Sequence, residues 1–251
     1  MIICNSRKFI FVHLYKCAGT SVTVTLAPIL TWQDIVCGST RYGAKLNPLF
    51  REQFDLHKHS PAARIREVVG EAIWNEYFTF TFVRNPYDRI ISLYTYLDRQ
   101  VRRRGLRRYI RRFIGEGKRE LWSWPATRAY LETRSFGQFI RHDSMQKAAS
   151  MRSQRSSLLA DDTGQIMLDY VGRVEHIDHD FAQVTERIGC PSLALEEHNV
   201  SDRSGNRDQF YGSQQDYDYV YEMFRDDFDA FGYERCPPTG TTEAEAPLAN
   251  V

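Results

Sequence analysis

The chain has 251 residues, 42% hydrophobic and 26% charged, with 33 Lys and Arg against 32 Asp and Glu. Such a length buries a substantial core and such a composition is ordinarily globular, which excludes disordered, fibrous and collagen-like classes. No run of about 18 apolar residues occurs, no basic-then-apolar leader opens the sequence, and the five cysteines (Cys4, Cys17, Cys37, Cys190, Cys236) include no CxxC pair. The expectation is a soluble, intracellular protein with scattered reduced thiols, without a disulfide framework or a zinc site.

In chain order, "KFIFVHL" (8–14) is a short β-branched and aromatic run that reads as a buried strand. It breaks sharply into "LYKCAGTS", a small-residue turn followed by hydroxyls. "SPAARIREVVG" predicts a helix with Ser60 as cap, Pro61 in the first turn and Gly70 at the stop. "YFTFTFV" (77–83) reads as a second buried strand. After it, "RNPYDRIISLYTYLDR" offers Asn85 as a cap, Pro86 at the first helical position, and Ile90, Leu93, Tyr94 and Leu97 at helical spacing. "DYVGRVEHI" (169–177) suggests another strand and "DHDFAQVTERIG" a helix closing on Gly189. Val220, Phe224, Phe228 and Phe231 form an apolar stripe that predicts one core-packed helix near the C-terminus. Residues 1–235 read as a single domain, and the Pro-, Thr-, Ala- and Glu-rich stretch 236–251 as a disordered tail. Strands alternating with helices predict an α/β sandwich with a mainly parallel sheet, whose ligands bind at the carboxyl ends of the strands. That rule puts the opening loop, the "RNP" junction and "LHKHS" along one crevice.

The near-zero net charge hides a basic cluster. Residues 99–119 hold Arg99, Arg102, Arg103, Arg104, Arg107, Arg108, Arg111, Arg112, Lys118 and Arg119. A cluster of this kind attracts polyanions or an anionic membrane surface, although a solvated helical face is the plainer reading.

The opening loop suits a phosphate. Ala18 and Gly19 let backbone N–H groups approach an anion, the next helix presents its positive end, and Lys16, Thr20 and Ser21 add donors. The nucleoside triphosphate loop GxxxxGK[ST] is not matched, because Leu14 stands at its first glycine and Thr20 at its lysine. Arg84 ends the second strand and Ser92 lies two turns into the following helix, so the two can meet over a second anion, Arg84 through its planar fork. Two such sites imply a ligand phosphorylated at two places.

"FIFVHLYKCAGTSV" resembles the 5′-phosphosulfate loop of carbohydrate-type (family 2) sulfotransferases, commonly FxHxPKxAGTS, and "FTFTFVRNPYDRIISLY" resembles their 3′-phosphate signature, FxFVRNPxxRxxSxY. Weaker similarity runs through "YVGRVEHIDHDFAQVTERIG", "HNVS" and "FRDDFDAFGY", so about residues 8 to 234 are covered. Tyr15, where the family usually has proline, departs from the pattern. The resemblance implies a P-loop-like three-layer sandwich and sulfuryl transfer from 3′-phosphoadenosine 5′-phosphosulfate (PAPS) to a hydroxyl, releasing adenosine 3′,5′-bisphosphate (PAP) without a metal. Lys16 would neutralise the leaving phosphate. Ala18, Gly19, Thr20 and Ser21 would cradle the 5′-phosphate, and Arg84 and Ser92 would hold the 3′-phosphate.

A hydroxyl acceptor needs a general base. His59, expected at a strand-to-helix junction facing the crevice, just ahead of the helix that follows "LHKHS", is preferred over His57 and His13, for which structural roles are expected. Asn199, Ser201 and Arg203 are candidate contacts in a late loop, Glu175 a polar anchor or a partner for Arg173, and "MRSQRSSLL" has no assigned chemistry. The expected acceptor is a glycan, a glycolipid or a small metabolite, in a cytoplasmic bacterial enzyme that can lie at the inner membrane surface through residues 99–119. Nucleic acid is not expected as a partner. Two other readings stay open: a kinase-like phosphotransferase, which predicts ATP and magnesium dependence, and a non-catalytic polyanion-binding module, which would survive loss of Lys16 and His59.

Overall fold

The computed structural model describes residues 1–111, 124–195 and 207–235, with backbone alone over 104–111. Five short strands, β1 (Ile2–Cys4), β2 (Phe9–Phe11), β3 (Ile35–Val36), β4 (Phe78–Val83) and β5 (Tyr170–Arg173), form one sheet in the order β3-β1-β2-β4-β5. β2, β4 and β5 run parallel, with Phe9 opposite Phe78 and Val83 opposite Arg173. β1 folds back antiparallel to both β2 and β3, so one reversed strand interrupts an otherwise co-directional sheet. This is the expected α/β sandwich, parallel in its centre.

Period-two side-chain alternation divides the apolar residues between the two faces of the sheet. Ile2, Cys4, Phe9, Phe11, Phe80 and Phe82 pack on one face with Val22 and Leu26 of α1 (Gly19–Leu26) and Phe181 and Val184 of α9 (Ile177–Arg187). Ile3, Ile10, Val12 and Val83 face the other way. There they meet Ile65 of α3 (Ala62–Val69), which follows α2 (Arg41–Phe54) and precedes α4 (Glu71–Glu76), and Ile90 and Leu97 of α5 (Pro86–Arg111). The same layer contains α6 (Pro125–Glu132), α7 (Phe136–Arg141) and α8 (Asp143–Gln146). α10 (Gln214–Met223) and α11 (Arg225–Phe231) complete it.

The start of α5 follows the sequence reading: Pro86 opens the helix and Asn85 Oδ1 accepts the Tyr87 N–H at 3.0 Å. Three local expectations are corrected. Pro61, not Ser60, occupies the cap position of α3, and the Ser60 hydroxyl instead accepts the His57 N–H at 2.8 Å. No strand precedes α3, so the "LHKHS" segment is a turn between two helices. The C-terminal stripe is split at Phe224 into α10 and α11, while Val220, Phe224, Phe228 and Phe231 are all buried as expected. Among the described residues no helix is long and apolar enough to cross a membrane. Asn199, Ser201, Arg203, most of the arginine cluster and residues 236–251 lie outside the described residues.

Candidate active site

The carboxyl ends of β2 and β4 open into a cavity of about 790 Å³. All eight residues proposed from the sequence line it: Lys16, Ala18, Gly19, Thr20 and Ser21 from the loop after β2, Arg84 and Ser92 from the junction after β4, and His59 from the turn between α2 and α3. The wall also carries Arg51, Lys58, Arg99 and Arg152, and among the described residues it includes no Asp or Glu. A crevice with that charge pattern attracts anions.

The loop after β2 reaches the cavity through a strained backbone. Lys16 and Ala18 both have positive φ, 65° and 52°, a conformation that costs a non-glycine residue energy and clusters at ligand sites. Ala18 is the cap of α1, so the first-turn N–H groups of Gly19, Thr20 and Ser21 lack helical acceptors and face the cavity end. At Gly19 a Cβ would stand 2.3 Å from the ring of His13, so only glycine lets the helix start this close to that buried side chain. Lys16 Nζ lies 4.1 Å over the ring of Tyr96. Burial first, and then the positive charges of Arg84, Arg99 and Lys58, lower its pKa to about 7.

The turn carrying His59 is knit by short polar contacts. Asn47 Oδ1 accepts the Lys58 N–H at 2.7 Å, and His57 Nδ1 accepts the His59 N–H at 3.1 Å. His59 Nδ1 lies 2.8 Å from the carbonyl oxygen of His13. A carbonyl only accepts, so Nδ1 carries the proton and Nε2 keeps its lone pair. Burial, with the nearby charge of Lys58, holds the His59 pKa well below the usual histidine value, so the ring is neutral at pH 7. The Tyr15 ring stacks on it with centroids 3.8 Å apart and planes at 22°.

The junction after β4 is held from below. Glu175 Oε1 accepts the Asn85 N–H at 2.7 Å and Tyr233 donates to Glu175 Oε2 at 3.2 Å, so Glu175 anchors the junction. Arg89 does not reach the cavity: it is buried, donates to the Arg152 carbonyl at 2.8 Å and stacks over Phe224.

Residues 1–234 match the sequence profile of the sulfotransferase family. The chain belongs to that family. It is also 24% identical over 131 residues, 52% of this chain and 83% of the relative, to an uncharacterized protein of Archaeoglobus fulgidus. No solved structure matches it.

Several cavity residues of this sulfotransferase escaped the sequence reading. Lys58 is the clearest: its Nζ lies 3.5 Å from Thr20 Oγ1, and burial lowers its pKa to about 8. Its stem runs so close to Gly38 that a Cβ there would meet Lys58 Cδ at 2.6 Å. The signal was present, since Lys58 sits between two histidines already singled out. For Arg51 and Arg152, exposed residues near Tyr15 and His57, no local pattern exists; only the fold brings α2 and the segment before residue 153 to the same rim.

Proposed function

We propose that this sulfotransferase moves a sulfuryl group from PAPS to an acceptor hydroxyl by in-line displacement, with His59 as general base. The observation that carries this reading is the meeting of the Lys16 loop and the Arg84–Ser92 junction in one cavity whose described lining has no carboxylate and which has a neutral histidine on its wall. Lys16, the α1 N-terminus and the hydroxyls of Thr20 and Ser21 suit the 5′-phosphosulfate, while Arg84 and Ser92 suit the 3′-phosphate. In the reaction the acceptor oxygen forms a bond to sulfur as the sulfur–oxygen bond to the 5′-phosphate breaks. His59 Nε2 takes the hydroxyl proton, and Lys16 and Lys58 stabilise the charge gathering on the leaving phosphate.

The acceptor in this reading is a glycan or glycolipid, and one with an anionic group beside its hydroxyl would suit Arg51 and Arg152, neither of which has an ion-pair partner among the described residues. Free thiols at Cys4, Cys17, Cys37 and Cys190 fit a reducing, cytoplasmic setting. Residues 99–119 would contact an anionic polymer or membrane surface.

The test is calorimetric binding of PAP, AMP and ATP to the wild type and to Arg84→Ala. A clear preference for PAP that the substitution abolishes, with a loss of about 10- to 100-fold in affinity, is expected from the deletion of a charge-assisted pair of hydrogen bonds. ATP with magnesium binding as well as PAP would defeat the reading.

A further inference from the structure

We propose that Gln154 is a positioning residue that fixes Arg84 relative to the Lys16 loop, and so sets the separation of the two phosphate sites; this rests on the reading of the cavity as a PAPS site. Gln154 has no solvent-accessible surface, yet every hydrogen-bonding position of its amide is filled. Oε1 accepts the Arg84 N–H at 2.9 Å and the Cys17 Sγ–H at 3.1 Å. Nε2 donates to the Arg84 carbonyl at 2.9 Å and to Asp227 Oδ2 at 3.3 Å. The Gln154 main-chain N–H is itself tied to Asp227 Oδ2 at 2.9 Å. Asp227 is fully buried and also accepts the Arg155 N–H at 2.9 Å and the Ser153 hydroxyl at 2.7 Å.

The partners make this more than a satisfied core amide. β4 pairs with β5 only as far as Val83, so the Arg84 N–H and C=O lie past the last rung of the sheet and need another partner. The Gln154 amide supplies both halves, as a strand neighbour would. Its third partner, Cys17, directly follows Lys16, and burial pushes the Cys17 thiol up to about 12, so it remains a protonated donor. One side chain, braced from α11, thus holds the main chain behind Arg84 and the residue behind Lys16. An apolar side chain of similar volume would fill the space and leave Arg84 free to shift, and a small misplacement of a phosphate clamp is enough to lose affinity.

The experiment compares PAP and AMP binding in Gln154→Met, Arg84→Ala and the double variant, by calorimetry. Gln154→Met is expected to weaken PAP by about tenfold or more while AMP changes by less than about threefold, and to change PAP binding by less than about twofold once Arg84 is already alanine, because contacts in one network are not additive. A purely structural role would weaken PAP and AMP by the same factor, or persist unchanged in the Arg84→Ala background, and either result overturns the proposal. If Gln154→Met does not fold, hydrogen exchange on the wild type decides. PAP should slow exchange of the Arg84 backbone amide and the Gln154 side-chain amide about tenfold beyond AMP, and equal protection by the two nucleotides overturns it. A wild type that shows no preference for PAP over AMP and ATP removes the PAPS reading itself, whereas a preference that survives Gln154→Met sinks the positioning role alone.

Discussion

The loop after β2 and the junction after β4 stand at the carboxyl ends of neighbouring parallel strands and line the same cavity, but they hold their polar groups by different means. In the first, the backbone does the holding: two left-handed residues, a glycine with no room for a side chain, and the start of a helix. In the second, the backbone is regular and the precision comes from partners far along the chain, the buried Gln154 and Asp227 and the more exposed Glu175. On the proposed reading, the difference would divide the labour. A strained loop with a lysine of lowered pKa suits the place where charge changes during reaction, and a rigid guanidinium clamp suits the place where a fixed phosphate is recognised.

On that division, Lys16 and His59 govern rate and Arg84 governs affinity. His59→Gln should lower kcat by about 10²- to 10⁴-fold with PAP affinity nearly unchanged, the range expected for loss of a general base. Lys16→Ala should lower kcat by about 10²- to 10³-fold and PAP affinity by much less, since its stabilisation grows as the leaving phosphate charges. Both are read from PAP release with an acceptor that the wild type sulfates. A Lys16→Ala enzyme with weak PAP binding and a normal kcat would erase the contrast between the two segments. Gly19→Ala attacks the strained loop instead: the added Cβ must displace the buried His13 ring, at about 1–3 kcal/mol of stability. Thermal unfolding within about 1 °C of the wild type would mean the loop has slack.

The two segments were also unequally legible in the sequence. Lys16, Gly19, Thr20 and Ser21 could be read because a strand, a small-residue turn and a helix start are contiguous in the sequence. Arg84 and Ser92 were readable as residues, but not what holds them, because Gln154 and Asp227 lie 70 residues and more beyond. The parallel centre of the sheet followed from alternating strands and helices. β1 and β3 were missed because three-residue and two-residue strands leave no periodicity to find. Residues 57–60 form a turn and not the expected strand end, because the Ser60 hydroxyl, a plausible helix cap, bonds backward to the His57 N–H and closes the chain on itself.

The contrast sharpens with pH. In the free protein Lys16 titrates near 7, and a bound dianion raises that value, so binding takes up a proton over the interval between the two. PAP affinity should therefore be greatest below pH 7 and fall as pH rises through it, by no more than the small loss that Lys16→Ala itself causes, and Lys16→Ala flattens the profile. Lys58, near 8, extends the decline. Calorimetry between pH 6 and 9 in buffers of different ionisation enthalpy counts the protons directly, and a wild-type affinity independent of pH would show that Lys16 does not meet the ligand's charge.

Ser92 should give the smallest effect, and its value lies in direction rather than size. The residue is buried in the second turn of α5 and opens onto the cavity beside the Arg84 junction, with a hydroxyl that can donate one hydrogen bond. Ser92→Ala removes that donor from a site where, on the proposed reading, Arg84 supplies the charge, so PAP should weaken by about threefold to tenfold, the worth of one ordinary hydrogen bond. AMP, which has no 3′-phosphate, should bind Ser92→Ala and wild type alike. Equal weakening of both nucleotides would move Ser92 from recognition of the 3′-phosphate to packing of α5, and would leave Arg84 as the sole recognising group that the junction contributes.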